Sequence, residues 1–279
     1  MIFIIIIFLF IMSIYFYYEN TTLKITNYKV INKSVPKDFN NYKIIQVSDF
    51  HNAKSKRLVN KIVEEISRQK PNVIAITGDL IHNDNNTYAI EFIKKINKIA
   101  DIYYVPGNHE AILKDYNGFI KLLKNNNVNV LDNKEKVLKI NKSEINLLGI
   151  VDPKIIDIES DDIKGVAKNS LDKLKYNKNN YSILLSHRPC LFDVYKEKKL
   201  DLVLTGHAHG GQIRLPLVGG LYAPNQGILP KYTSGIINAS NTNMIVSRGI
   251  GNSTFPFRVN NKPELVIITL KNKVKNDRL

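Results

Sequence analysis

Five of the six histidines in this 279-residue chain fall in a set of short polar segments, most of which also carry Asp, Asn or Ser. The segments are Ser48-Asp49-Phe50-His51, Gly78-Asp79, Gly107-Asn108-His109-Glu110, Ser186-His187 and Gly206-His207-Ala208-His209-Gly210-Gly211-Gln212. Imidazole, carboxylate and amide groups offer nitrogen and oxygen donors, the set that suits borderline-hard divalent cations such as Mn²⁺, Fe²⁺ or Zn²⁺. An imidazole left out of such a set is free to move a proton. Taken singly the pieces say little, since a Gly-Asp pair usually marks a turn or a helix cap. Their order and shared context say more.

Each segment directly follows a short apolar run rich in β-branched residues. The runs are Ile44–Val47, Val73–Thr77, Ile102–Val105, Ile183–Leu185 and Leu202–Thr205, with a further one at Ile145–Ile150. Several lack alternation, as expected of strands buried on both faces. Between the early runs lie helical patterns: Leu58, Ile62 and Ile66 at four-residue steps with Pro71 beyond them, then Ile90, Phe92, Ile93, Ile96 and Ile99. Strands alternating with helices predict an α/β fold, in which ligands bind beyond the carboxyl ends of the strands. Five separate segments therefore converge on one crevice. Toward the C-terminus, Gln212–Leu215, Met244–Ile250 and Glu264–Leu270 read as strands between Gly/Pro/Asn turns, predicting a second, largely antiparallel sheet packed on the first.

Met1–Tyr18 carries no charged side chain and is dominated by Ile and Phe. A membrane-spanning helix needs about 17–25 apolar residues, so this stretch suffices. Tyr15, Tyr17 and Tyr18 stand where an interfacial aromatic belt would lie, and no cleavage site of small residues follows. The organisation expected is an anchor over 1–18, a linker with an edge strand over 19–40, and one catalytic domain over 41–279. Lys24, Lys29, Lys33 and Lys37 follow the span, which favours a cytoplasmic domain by the positive-inside rule. The formal charge of +15 comes from scattered lysines, and so describes a solvated basic surface or an attraction to polyanions. A single cysteine, Cys190, excludes an internal disulfide.

The series Asp49-x-His51, Gly78-Asp79, Gly107-Asn108-His109-Glu110, His187, Gly206-His207-x-His209 resembles the calcineurin-like metallophosphoesterase superfamily, over roughly residues 43 to 250. The Gly210-Gly211-Gln212 tail is similar to a membrane-associated bacterial phosphodiesterase branch acting on lipid-linked or cell-envelope molecules. The resemblance implies a four-layer αββα sandwich, two mixed β-sheets flanked by helices, preceded here by the transmembrane helix. It implies two divalent metal ions: Asp49, His51 and His209 on one, Asn108, His187 and His207 on the other, and Asp79 bridging. A metal-bridged hydroxide would attack phosphorus, while His109, beside a ligand, would assist the leaving group. The substrate expected is a phosphodiester or pyrophosphate in a phosphorylated small or lipid-like molecule, handled by a monomer with no specific nucleic acid.

Other readings stand beside this one. A protein Ser/Thr phosphatase of the same fold would continue Gly-Asp with Asp-Arg-Gly, whereas this chain reads Gly78-Asp79-Leu80-Ile81-His82-Asn83-Asp84. A nuclease would want an aromatic-plus-basic strip that is not evident. A metal-dependent binding module without catalysis would keep the fold but lose ligands, and no ligand position is lost. His82, Asp152, Arg188, Arg248, Gln212 and Arg214 remain open between structural and cleft-lining roles.

Overall fold

The structure is a computed structural model that describes residues 1–239, 241–252 and 255–273. Helix α1 (Ile2–Thr21) leads into β1 (Lys24–Asn32). There follow β2 (Lys43–Val47), α2 (Lys56–Gln69), β3 (Val73–Thr77), α3 (Thr87–Ile96), β4 (Asp101–Val105), α4 (Tyr116–Asn125) and β5 (Val128–Val130). The second half holds β6 (Lys134–Ile140), β7 (Ser143–Gly149), α5 (Pro153–Ile156), α6 (Ile163–Lys173), β8 (Tyr181–Leu185), α7 (Phe192–Glu197) and β9 (Leu202–Thr205). Four two-residue strands come next: β10 (Arg214–Leu215), β11 (Gly219–Gly220), β12 (Tyr222–Ala223) and β13 (Gly227–Ile228). The last are β14 (Gly235–Ala239), β15 (Thr242–Val246) and β16 (Glu264–Asn272).

Two six-stranded mixed sheets result, in the orders β1-β16-β2-β3-β4-β5 and β14-β15-β9-β8-β7-β6. Ile44, Val73, Ala75 and Ile268 of the first sheet meet Ile145, Ile183, Leu202 and Ile245 of the second in one apolar layer. The outer face of the first sheet is covered by Ile62 and Ile66 of α2, Phe92 and Ile93 of α3 and Leu123 of α4. The outer face of the second receives Ala167 and Leu171 of α6 with Phe192 and Tyr195 of α7. That is the four-layer αββα sandwich. Both faces of each central strand are thus dry, which explains apolar runs without alternation.

The second sheet differs from the largely antiparallel one expected. β15, β9, β8 and β7 are parallel, and only the two edge strands run the other way. The Glu264–Leu270 run belongs to the first sheet, where β16 lies parallel to β1 and antiparallel to β2. An apolar run declares that it is buried; it does not name the strand it pairs with. The Gln212–Leu215 segment yields only the short β10.

Because β1 and β16 oppose β2, their first residues, Lys24 and Glu264, lie at the end of the sheet where β2 delivers Asp49. Helix α1 therefore leaves the domain at the same end. Its side chains from Ile2 to Ile11 are exposed apolar groups. It is a helix long and apolar enough to cross a membrane, by length and composition.

Candidate metal centre

The strand ends deliver every expected residue to one place except where loops intervene, and glycines set how closely they approach. Asp49 and His51 follow β2, Asp79 follows β3, Asn108 and His109 follow β4, His187 follows β8, and His207 and His209 follow β9. A Cβ on Gly206 would fall 1.8 Å from Ser48 Oγ and 2.2 Å from Asp49 Oδ2. A Cβ on Gly78 would fall 2.4 Å from His187 Nδ1. Asp49, His51, Asp79, His207 and His209 all hold a left-handed backbone, with φ between 45° and 64°. For residues other than glycine each such conformation costs on the order of 1 kcal/mol or more, and persists only where the surroundings fix it. Here they do: Asp49 N–H donates to Gly78 O, His51 N–H to Asp79 O and Gly206 N–H to His187 O, each at 3.0 Å.

The side chains form two groups that share Asp79. In the first, donor atoms of Asp49, His51, Asp79 and His209 lie within 4.8 Å of one another, and all four residues are buried. His51 Nε2 and His209 Nε2 are 3.1 Å apart, and His209 Nε2 is 3.3 Å from Asp49 Oδ1. In the second, Asp79, His187 and His207 meet the same limit. His187 Nε2 is 3.2 Å from Asp79 Oδ2 and 3.1 Å from His207 Nδ1. Asn108 Oδ1, His51 Nδ1 and His209 Nδ1 are buried without a hydrogen-bond partner. Oxygen and nitrogen donors converging in this way, with the Asn108 Oδ1 unspent beside them, suit divalent cations.

Electrostatics leave three of the histidines free to act as donors. Burial lowers His51 to about 3 and takes His207 and His209 well below the usual imidazole range, so these rings are neutral and offer lone pairs. Burial raises Asp49 to about 6, against the pull of His187. Burial also opposes charge on Asp79 and His187, yet their mutual contact prevails. Asp79 is held well below the usual carboxylate range, and His187 is carried up to about 10.

Hydrogen bonds around the two groups fix which nitrogen faces inward. His187 Nδ1 lies 2.8 Å from the Thr77 carbonyl, leaving Nε2 toward Asp79. His207 Nε2 lies 3.0 Å from Asn225 Oδ1, leaving Nδ1 toward His187. Asn225 also accepts from Arg188 Nη1. Arg188 is only 3% exposed and binds Asp152 twice, at 2.6 and 2.9 Å. Asp152 caps the turn at Lys154 as well. Arg188 and Asp152 thus reach the centre through Asn225, and Asp152 touches no ligand histidine.

His109 sits at the rim, with Nε2 3.9 Å from Asp79 Oδ2 and its backbone N–H donating to Asp79 Oδ1 at 2.9 Å. His82 stacks on it, ring centroids 4.6 Å apart and 29° between planes, and its carbonyl lies 3.3 Å from His109 Nδ1. Gln212 donates to the carbonyls of Phe255 and Phe257, and Arg214 donates to that of Gly210, so both brace the loop after His209. Arg248 leans on Glu264 at 3.8 Å.

Three contributors had gone unassigned. Glu110 is buried; its Oε2 accepts from the N–H groups of Asp79 and Gly107, its Oε1 from Ile81, and burial and Asp79 raise it to about 7. Its place in Gly107-Asn108-His109-Glu110 was the available signal. Asn225 lies in a turn and Asn261 in a loop, both far along the chain, and Asn261 Nδ2 donates to the His209 carbonyl at 2.7 Å. No local pattern marks either.

A profile described as calcineurin-like phosphoesterase matches residues 42–211. The uncharacterized metallophosphoesterase YkuE of Bacillus subtilis is 29% identical over 91% of this chain and 88% of its own length. The phosphodiesterase YaeI of Escherichia coli is 26% identical over 82% of each chain. Among solved structures, the sulfate thiohydrolase SoxB of T. thermophilus superposes with a TM-score of 0.51 at 11% identity. That match covers 85% of this chain and 58% of SoxB, a likeness of fold alone.

Proposed function

We propose, for a chain that belongs to the calcineurin-like phosphoesterase family, that it hydrolyses a phosphodiester or pyrophosphate in a lipid-linked or cell-envelope molecule. The observation that carries the reading is the pair of buried donor groups sharing Asp79. Asp49, His51 and His209 would hold one divalent ion, Asn108, His187 and His207 the other, with Asp79 between them. Mn²⁺, Fe²⁺ and Zn²⁺ all suit such donors. When bound, two such ions supply Lewis acidity toward a phosphoryl oxygen and lower the pKa of a shared water.

The chain's own residues do the rest. His187 and His207 are oriented by Thr77 and Asn225, so their inward nitrogens are fixed before substrate arrives. Asp79 is oriented by the His109 backbone N–H. His109 is partly exposed at the rim; its Nδ1–H is turned to the His82 carbonyl, so the imidazolium form carries a second proton on Nε2 and gives that proton to the departing alkoxide oxygen, leaving the neutral ring. The Asp-Arg-Gly phosphate grip of Ser/Thr phosphatases has no counterpart after Asp79, which supports a diester over a phosphoprotein. Helix α1 holds the domain at a membrane as a single span, with the lysines after it on the cytoplasmic side.

Full-length chain loaded with Mn²⁺ tests the reading on bis-p-nitrophenyl phosphate, nucleotide-lipid, polyol-phosphate and phosphoprotein substrates. Turnover of the diester and of a lipid-linked pyrophosphate is expected. Turnover of phosphoproteins alone would overturn the substrate class, and bound metal without turnover of any ester would overturn hydrolysis.

A further inference from the structure

The last turns of α1 are fastened to the catalytic domain by side chains on both partners. Tyr15 Oη donates to Asn260 Oδ1 at 3.0 Å, and Glu19 Oε2 accepts from the Asn261 N–H at 2.9 Å. Asn20 Oδ1 accepts from the Arg258 N–H at 3.0 Å, and the Phe16 and Phe257 rings pack with centroids 5.4 Å apart. Lys262 Nζ stands 4.2 Å over the Tyr18 ring. These contacts tie depth to position along the helix. Phe16 lies five residues, about 8 Å, before the end of α1. Whatever surrounds the last turns of a membrane span there also surrounds Phe257.

The surface continuing from Phe257 is apolar. Leu217 is fully exposed, and Val218, Tyr222, Ile228, Phe255 and Phe257 are between 47% and 76% exposed. Phe257, Phe255, Tyr222 and Ile228 adjoin one another, and Leu217 and Val218 lie in the turn of the neighbouring β10–β11 hairpin. Gln212 binds the carbonyls of both phenylalanines, Tyr222 pairs with Ile228 across a hairpin, and Asn260 Nδ2 donates to the carbonyl of Arg214, which leads to Leu217. A pocket of about 380 Å³ opens among them, lined by Gly211, Gln212, Ile213, Leu221, Tyr222 and Phe255. Its first two lining residues closely follow His209, and the turn of the Tyr222 hairpin carries Asn225 to His207. Lys24, Arg214, Arg248 and Lys262 gather at the same corner against Glu19 and Glu264, leaving two cations in excess. Contiguous exposed apolar surface of this kind marks an interaction face, and a basic border suits anionic headgroups.

We propose that this rim is seated in the headgroup–acyl boundary of the bilayer that α1 spans, so that the metal-binding loops open onto the membrane surface. The proposal rests on the reading of α1 as a membrane span. The rim meets the interfacial end of α1 at the Phe16–Phe257 contact, so a lipid surface that receives α1 covers the rim as well.

The chain contains no tryptophan, so single-tryptophan variants of the full chain report depth directly. Phe10→Trp, Leu217→Trp and Ile31→Trp are reconstituted in phosphatidylcholine–phosphatidylglycerol vesicles whose acyl chains carry bromine near the headgroup or near the midplane. Ile31 is exposed on β1, seven residues, about 23 Å, beyond Lys24. Each variant is scored once its phosphodiester turnover matches that of the parent. Midplane bromine should quench Phe10→Trp most strongly. Interfacial segments sit about 5–10 Å deep, so Leu217→Trp should lose about half its emission to bromine near the headgroup. Ile31→Trp should be quenched by neither.

Quenching of Phe10→Trp without quenching of Leu217→Trp overturns the rim proposal and leaves α1 in the membrane. An unquenched Phe10→Trp overturns the anchor and the proposal together. A Leu217→Trp emission shifted to the blue but indifferent to bromine means that protein, a second copy or another chain, covers the rim, and this too overturns the proposal.

Discussion

Arg188 is a full charge buried next to His187 and bonded to Asn225, so its removal or isolation should be felt in stability and, on the proposed ligand set, in metal binding. Asp152→Ala would delete the carboxylate that takes two guanidinium hydrogen bonds at 2.6 and 2.9 Å, leaving the charge in the interior with Asn225 as its remaining side-chain partner. Breaking a buried pair from one side costs about 3–5 kcal/mol, mostly for the charge left unpaired. Arg188→Ala, which strands Asp152, should cost about the same. The double variant removes both charges, so it should cost about as much as either single change, a coupling of about 3–5 kcal/mol. Urea unfolding of the full chain in detergent with chelator present, followed by circular dichroism, gives all three values. Asn225→Ala separates the second consequence. It should leave the unfolding midpoint nearly unchanged but lower metal affinity about 10–100-fold, because His207 loses the partner that orients its ring. Single variants costing less than about 1 kcal/mol, as exposed pairs do, or a strictly additive double variant, would refute the claim that this pair acts as one electrostatic unit.

Three further outcomes are expected. His109→Ala should lower kcat about 10²–10⁴-fold while metal content, read by plasma mass spectrometry, stays at the parental value; a variant stripped of metal would make His109 a ligand instead. Asp79→Ala removes the carboxylate common to both donor groups, so bound metal should fall from about two ions per chain to fewer than one. Retention of one tight ion would show that Asp79 serves a single site. His187, carried up to about 10, must surrender its proton to act as a ligand, so between about pH 7 and 9 Mn²⁺ loading should release about one proton and tighten about tenfold per pH unit. Asp49, raised to about 6, should steepen the loss of affinity below that pH. Calorimetry in buffers of different ionisation heat counts the protons, and an affinity flat across the window would remove His187 from the set.

The strand ends were legible because apolar β-branched runs and the polar residues after them are both local signals. Asp49, His51, Asp79, His187, His207 and His209 could be placed at one crevice from order alone, since a doubly covered sheet leaves them nowhere else to go. What the sequence concealed depends on long-range pairing. The run at Glu264–Leu270 is apolar wherever it is inserted, and only the register with Lys24 and Gln46 shows that it lies between β1 and β2. The Met244–Ile250 run, expected in an antiparallel sheet, lies instead parallel to β9, and that too is settled only by long-range pairing. Asp152 and Arg188, 36 residues apart, gave no sign of a mutual contact. Asn225, preceded by Pro224 in a turn, looked like any loop asparagine; its meaning comes from the imidazole it meets. Glu110 could have been noticed as the fourth member of its segment, but that a carboxylate there gathers three backbone N–H groups is a property of folded loops.

The place of β16 has a consequence for biosynthesis. Strands β2 to β5 and their helices emerge from the ribosome as a consecutive parallel unit, yet the outer side of β2 waits for a partner some 220 residues downstream. At synthesis rates of about 5–20 residues per second that interval is on the order of tens of seconds. Throughout it β1 has no neighbour, and the nascent sheet presents an unpaired edge of the sort that invites intermolecular pairing. A helix already lodged in a bilayer would hold each unfinished copy away from its neighbours until β16 slots in and the first sheet closes.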